Sequence, residues 1–265
     1  MTEPARREVV VDDGTTVSYF VFPGTEPTVV ILHGLAGSGR EFEPTARALA
    51  GRRVILIDQR GHGHSTRTPP DTSRAAYVGD VVRVIETEST GPVDIVGQSM
   101  GAHTAMLVAA SHPNMVRRLV LLECDAGSGT PEERAALGAF FRSWKVPFPD
   151  RDAATSSLGG GPLARAWAAD LEQRADGFYP RFDPDVMVAT ITDVAEPRWA
   201  EWAEVTAPAL VIYAEHGMFT TQQQADFVAR GTNVTRVDLS AGSHDAHLDA
   251  FDIWIIALSS FIDSR

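Results

Sequence analysis

Ser99 sits at the centre of Gly97-Gln98-Ser99-Met100-Gly101. The run Val93-Asp94-Ile95-Val96 before it has strand character. The Ala- and Leu-rich stretch after it reads as a buried helix that Pro113 ends. A serine on a sharp strand-to-helix turn needs neighbours without bulk, and glycines stand two residues away on each side. Such a turn lifts Oγ out of a sheet and sets it at a helix N-terminus, where developing negative charge is favoured. The chemistry that fits is attack by an activated serine hydroxyl. An ordinary small-residue turn can carry the same five letters; the strand before and the helix after weigh against that reading.

An activated serine needs a base, and the base needs an acid to orient it. His244, in Gly242-Ser243-His244, and His247 both follow the last strand-like run. Glu123 and Asp125 follow the run 116–122, and Glu215 follows the run 208–214. His62 and His64 have the look of a metal pair, but no acidic residue or third histidine follows at ligand spacing, so a polar turn is expected there and no metal.

These residues need a frame that brings distant segments to one edge. Continuous apolar runs at 28–32, 54–57, 116–122, 208–214 and 234–239 read as strands of a sheet covered on both faces. Residues 8–22 read as a hairpin turning at Asp13-Gly14. Helical spacing is found at 41–50, at 74–87 and in a last amphipathic stretch ending near Phe261. In such sheets ligands sit outside the carboxyl ends of the strands, and every candidate above leaves a strand at that end. Residues 126 to about 206 break the alternation. Thr130-Pro131-Glu132-Glu133 and Asp183-Pro184 start helices, Gly159-Gly160-Gly161-Pro162 is a break, and Trp144, Trp167, Trp199 and Trp202 all lie in this stretch. A helical insertion over the sheet's carboxyl edge is expected, with most of the tryptophans packing its own core and one or two lining a pocket. After it, Thr221 and Gln224 are expected to cap a helix.

The chain of 265 residues fits one large α/β domain with an insertion. Its net charge of -12 argues against nucleic acid and anionic membrane surfaces. The single cysteine, Cys124, excludes an internal disulfide framework and a cysteine metal cluster. The start MTEPARREVV lacks the apolar stretch of a secretory signal, and no apolar run approaches the length of a membrane span. A cytoplasmic protein acting on a small molecule, without nucleic-acid or membrane partners, is the expectation.

Four motifs in order carry a resemblance that covers essentially the whole chain: His33-Gly34, Asp58-x-Arg60-Gly61-x-Gly63-x-Ser65, Gly97-x-Ser99-x-Gly101 and Gly242-Ser243-His244. With them the chain resembles the α/β-hydrolase superfamily, in the branch with a helical cap after the sixth strand. The resemblance implies a mostly parallel eight-stranded sheet with helices on both faces. It implies a core of residues 1–125 and 207–265 and a cap of residues 126–206. It carries over Ser99 as nucleophile, His244 as general base, and the backbone N–H groups of Leu35 and Met100 as oxyanion hole. His247 would then be structural. The departure is the acid: the slot after the seventh strand where the family carries aspartate holds Gly217. Glu123 is expected to replace it, because it leaves the sixth strand directly and rigid backbone precedes it. Glu215 and Asp125 are the other carboxylates, and a chain without an acid is the remaining reading.

A serine at this position does not support the alkyl-enzyme ester that epoxide hydrolases and haloalkane dehalogenases form on an aspartate. It supports acyl transfer, so the resemblance implies a cofactor-free hydrolase of esters, lactones or thioesters. A C–C bond hydrolase, a cofactor-free perhydrolase and, in a different class, a non-hydrolytic ligand-binding scaffold are the alternatives.

Overall fold

Eight strands form one sheet in the computed structural model, which describes residues 3–264. They are β1 (Ala5–Val10), β2 (Thr16–Phe22), β3 (Thr25–Leu32), β4 (Arg52–Asp58), β5 (Val93–Gln98), β6 (Val116–Leu122), β7 (Ala209–Tyr213) and β8 (Val234–Asp238). Their order across the sheet is β1-β2-β4-β3-β5-β6-β7-β8. β2 is antiparallel to both its neighbours, and all other pairings are parallel. The expected hairpin closes with Val10 opposite Thr16, and Gly14 takes the φ of 83° that the turn needs.

Side chains alternate across the central strands, and each set meets a helix layer. Val30, Leu32, Ile55 and Ile57 face one side; Val29, Ile31, Val54 and Leu56 face the other. The helices are α1 (Glu43–Ala48), α2 (Arg74–Glu88), α3 (Met100–Ser111), α4 (Pro131–Arg142), α5 (Arg151–Ser157), α6 (Pro162–Asp170), α7 (Pro184–Val194), α8 (Trp199–Glu204), α9 (Thr221–Arg230), α10 (Ala246–Asp249) and α11 (Phe251–Ile262). Residues of α2, α3, α8 and α9 cover the first face, and residues of α1 and α11 the second. The helix expected over 41–50 is shorter than its apolar spacing: it starts as a 3-10 turn, Gly39–Phe42, and continues as α1. No helix of the described residues is long and apolar enough to cross a membrane.

The stretch between β6 and β7 leaves the sheet edge as α4 to α7, with a small hairpin of Glu172–Arg174 and Gly177–Tyr179. The Thr130–Glu133 capping box and the Asp183 cap form as expected. Phe141, Trp144, Phe148, Phe182 and Met187 make a separate cluster that reaches down to Ala36 in the loop after β3. The excursion ends early: Arg198 N–H donates to Ala126 O at 2.6 Å. Gly127 permits the closure, since a Cβ there would come within 2.5 Å of Glu196 O. Trp199 and Trp202 therefore lie beyond the point of return, which corrects their expected place in the insertion. Trp202 is fully buried, stacks on Phe227 with ring centroids 4.4 Å apart, and donates Nε1–H to Phe227 O at 2.7 Å. The cap of α9 is also corrected by one residue: Thr220 and Gln223 form the box. Thr220 has the extended backbone an N-cap needs, and Thr221 is already helical.

Trp202→Ala empties a packed site in the sheet's own helix layer and should cost about 3–5 kcal/mol. A urea unfolding curve reads this as a lowered midpoint. A loss below about 1 kcal/mol would mean α8 is not part of that layer.

Candidate active site

Ser99 stands between β5 and α3 with φ 53° and ψ −120°. Such a conformation costs a non-glycine residue on the order of 1–3 kcal/mol, so its surroundings must enforce it. Ser99 N–H donates to Leu122 O at 2.9 Å, and Ser99 O accepts from His103 N–H at 3.0 Å. Both flanking glycines are required by close backbone approach. A Cβ on Gly97 would collide with Gly101 O and Ala102, and one on Gly101 with Leu32 O and His33 O. Among the described residues no hydrogen bond reaches Ser99 Oγ.

Met100 opens α3, so its N–H has no acceptor within the helix. Leu35 lies in the loop after β3, next to Ala36 with φ 59°. Gln59 clamps that loop: its N–H donates to His33 Nε2 at 3.0 Å, and its Nε2 donates to His33 O at 2.7 Å. His33 then carries its proton on Nδ1, 2.7 Å from Gly34 O. Asp58 accepts from Gly39 N–H at 2.8 Å and from His64 N–H at 2.9 Å. Burial alone would raise the Asp58 carboxyl, but the donors from His64 and Gly39 outweigh it and hold it below its usual value.

Glu123 is fully buried directly after β6 and has φ 51°. Ala214 N–H donates to Oε1 at 2.8 Å, and Met218 N–H donates to Oε2 at 3.0 Å. The same Oε2 lies 3.3 Å from His244 Nδ1. Gly217 is the reason the carboxylate fits, because a Cβ there would collide with Glu123 Oε1. The other carboxylates are elsewhere. Glu215 faces solvent beside His216, with 53% of its side chain exposed. Asp125 accepts from Gly127 N–H at 2.9 Å and closes a turn.

His247 is buried, stacked on Phe42 at 4.2 Å, with Nε2 3.8 Å from Glu41. His62 Nδ1 lies 2.9 Å from Arg60 O, and His64 Nδ1 3.3 Å from Asp58. Among the described residues no group of three or more His, Cys, Asp or Glu is arranged to hold a metal.

Ser99, His244 and Leu35 line one cavity of about 260 Å³. The insertion supplies much of its wall, including Trp167, while Trp144 packs against Phe182 in the insertion's core. Three residues not singled out in the sequence belong to the site. Gln98 Nε2 donates to His244 O at 3.0 Å and so ties the histidine loop to the strand before Ser99. Asp245 and Glu41 also line the cavity. Burial raises the Asp245 carboxyl and pushes Glu41 up to about 8. A glutamine before Ser99 and a carboxylate after His244 are visible in the sequence; nothing local marks Glu41.

A profile of the family described as alpha/beta hydrolase fold matches residues 27–251. A 2-(acetamidomethylene)succinate hydrolase of Mesorhizobium japonicum is 27% identical over 252 residues, covering 91% of this chain and 90% of that protein. An sn-1-specific diacylglycerol lipase of Mus musculus is 38% identical over 141 residues. That match spans 51% of this chain and 45% of the lipase. A solved structure of E-2-(acetamidomethylene)succinate hydrolase superposes with a TM-score of 0.90 at 24% identity, over 99% of this chain and all of that one, and shows the fold.

Two outcomes follow from the geometry. Gly217→Asp should harm the wild-type protein more than it harms Glu123→Ala, because the added carboxylate needs the space Glu123 fills. A double-mutant cycle read by urea unfolding should give a coupling of about 1–3 kcal/mol; additivity would deny the contact. The second concerns pH. Between the ordinary Glu value of 4.5 and about 8, native Glu41 holds a proton that the unfolded chain has lost, so stability falls as pH rises. Asp170, pushed by burial to about 7, acts in the same sense. His62 and His247, held by burial down to about 3 and about 4, act oppositely, but only below the unfolded value of 6.5. Across about pH 6.5 to 8 the opposing histidine contribution fades, and Glu41→Gln should lessen the decline in unfolding midpoint there.

Proposed function

Because the chain belongs to the alpha/beta hydrolase fold family and is a hydrolase among hydrolases, we propose that it cleaves a carboxylic ester, lactone or thioester of a small, largely apolar substrate through an acyl-enzyme on Ser99. The observation that carries the reading is the buried Glu123 carboxylate 3.3 Å from His244 Nδ1, on a histidine that shares its cavity with Ser99.

The steps use this chain's own groups. His244 donates Nδ1–H to Glu123, which leaves the Nε2 lone pair facing the cavity. Nε2 takes the Ser99 proton as Oγ attacks the substrate carbonyl carbon. The carbonyl oxygen gains negative charge and accepts from Leu35 N–H and Met100 N–H, with the first turn of α3 adding its dipole. The bond to the leaving oxygen or sulfur breaks, and His244 returns the proton to it. A water then attacks the acyl-enzyme by the same route, and the acid leaves. Glu123 holds the tautomer and stabilises the imidazolium, and two backbone donors fix its own position. The apolar wall of the cavity supports an apolar substrate, and its size of about 260 Å³ supports a small one.

Ser99→Ala should lower kcat by about 10⁴-fold or more while the unfolding midpoint holds, and should abolish labelling by a fluorophosphonate. Glu123→Gln should lose on the order of 10²–10⁴ in kcat, whereas Glu215→Gln should stay within about tenfold. Near wild-type hydrolysis by Ser99→Ala would remove the nucleophile. A greater loss from Glu215→Gln than from Glu123→Gln would reassign the acid.

A further inference from the structure

The cavity beside Ser99 has apolar walls of Leu137, Phe141, Leu163, Trp167, Ile191 and Met218. Its ionisable lining, besides His244, is Glu41 and Asp245. Among the described residues neither arginine nor lysine lines it. We propose that the carboxyls of Glu41 and Asp245 make this cavity select a small ester bearing an uncharged hydroxyl or amide and reject one bearing a carboxylate. The inference rests on the ester-hydrolase reading above and adds the substrate's charge and polar group to it.

Glu41 is 7% exposed and sits in the 3-10 turn Gly39–Phe42. Its carboxyl packs against the loop backbone at Gly37, where a Cβ would come within 2.7 Å of Oε2. The titratable groups that face it are His33 and Asp58 at the ends of β3 and β4, Asp245 and His247 from the histidine loop and α10, and Asp170 at the end of α6. None of these is a permanent cation; Arg40, Arg47 and Arg165 border Glu41 in a separate surface groove and Arg181 borders it in a small pocket, but none of the four lines the cavity beside Ser99. The His247 ring, 3.8 Å away, is held by burial down to about 4 and stays neutral near pH 7. Glu41 itself, at about 8, is then a carboxylic acid that can donate one hydrogen bond and accept another. A substrate hydroxyl or amide offers the matching pair. A substrate carboxylate could accept the one proton Glu41 holds, but its charge would still enter an apolar wall that offers no cation, and a buried charge without a counter-ion is strongly disfavoured. As Glu41 ionises above about pH 8, like-charge repulsion deepens the rejection.

The full chain can be assayed by pH-stat titration on ethyl butyrate, ethyl 3-hydroxybutyrate, 2-hydroxyethyl butyrate and monoethyl glutarate. At pH ~7 one of the two hydroxy esters should exceed ethyl butyrate in kcat/KM by about tenfold, and monoethyl glutarate should fall below it by about 100-fold. Glu41→Leu should bring the hydroxy-ester ratio to about one, and Glu41→Gln, which still donates and accepts, should restore it. The discrimination against monoethyl glutarate should widen through pH ~8 in the wild type and stay level in Glu41→Gln. Wild-type protein that treats monoethyl glutarate and ethyl butyrate within about threefold overturns the inference, as does a hydroxy-ester ratio unmoved by Glu41→Leu. If ethyl butyrate is cleaved and Ser99 takes the fluorophosphonate, either result leaves the serine-hydrolase reading standing. If no ester is cleaved, that reading falls and the inference with it.

Discussion

A carboxylate taken out of water must find donors, or its burial costs several kcal/mol. Glu123 is the place where this chain meets that demand, and much of the site's geometry follows from it. The carboxylate is fully buried, and its donors come from the loop after β7 and from the histidine loop after β8. The parallel pairing of β6 with β7 makes this possible, since Glu123 N–H donates to Ile212 O and brings the residue alongside Tyr213, one residue before the donor Ala214 N–H. The backbone at Glu123 turns through a positive φ to aim the side chain across its neighbour strand. One carboxylate thus ties three strand ends together. The loop where the family pattern places an aspartate becomes the cradle for a carboxylate from the strand beside it.

Much of this was legible in the sequence. Continuous runs of β-branched residues and leucine mark the central strands because only a doubly covered sheet hides such runs. Gly97 and Gly101 mark the turn at Ser99 because both sites lie against backbone. Glu123 could be preferred over Glu215 because it leaves a buried strand directly. What Gly217 means could not be read from the sequence. In the linear chain it is only an aspartate missing from its slot; in the folded one it is room for a carboxylate. Its partner is far away in sequence, so no local pattern connects them.

The other misreadings share that cause. Trp199 and Trp202 look like more of the aromatic insertion by composition. What separates them is a single long-range hydrogen bond from Arg198 to Ala126 that returns the chain to the sheet before α8 begins. The cap of α9 offers two frames, Thr220 with Gln223 and Thr221 with Gln224, with equal propensity. The path of the chain out of the β7 loop chooses the first. Glu41 reads as an ordinary polar position in a helix start, and only the packing of α6 and α10 around it buries it.

The segment from Asp58 to Ser65 shows how a motif can be diagnostic without touching a reacting atom. Arg60 is buried between Asp80 and Asp13, Gln59 grips His33, and Asp58 binds the start of the 3-10 turn. These contacts fix the loop that presents Leu35, and the same loop carries the turn that aims Glu41. Leu35 N–H, one of the two proposed oxyanion donors, and the polar group at the cavity wall therefore hang from one rigid support, while the other proposed donor, Met100 N–H, belongs to α3. The apolar walls come from a different part of the chain, α4 to α7, whose cluster is separate from the sheet's two layers. Changes in those walls can alter the size and shape of what enters without moving Ser99, His244 or Glu123. The proposed charge selectivity instead rests on Glu41, whose backbone belongs to the loop on which the proposed oxyanion hole depends.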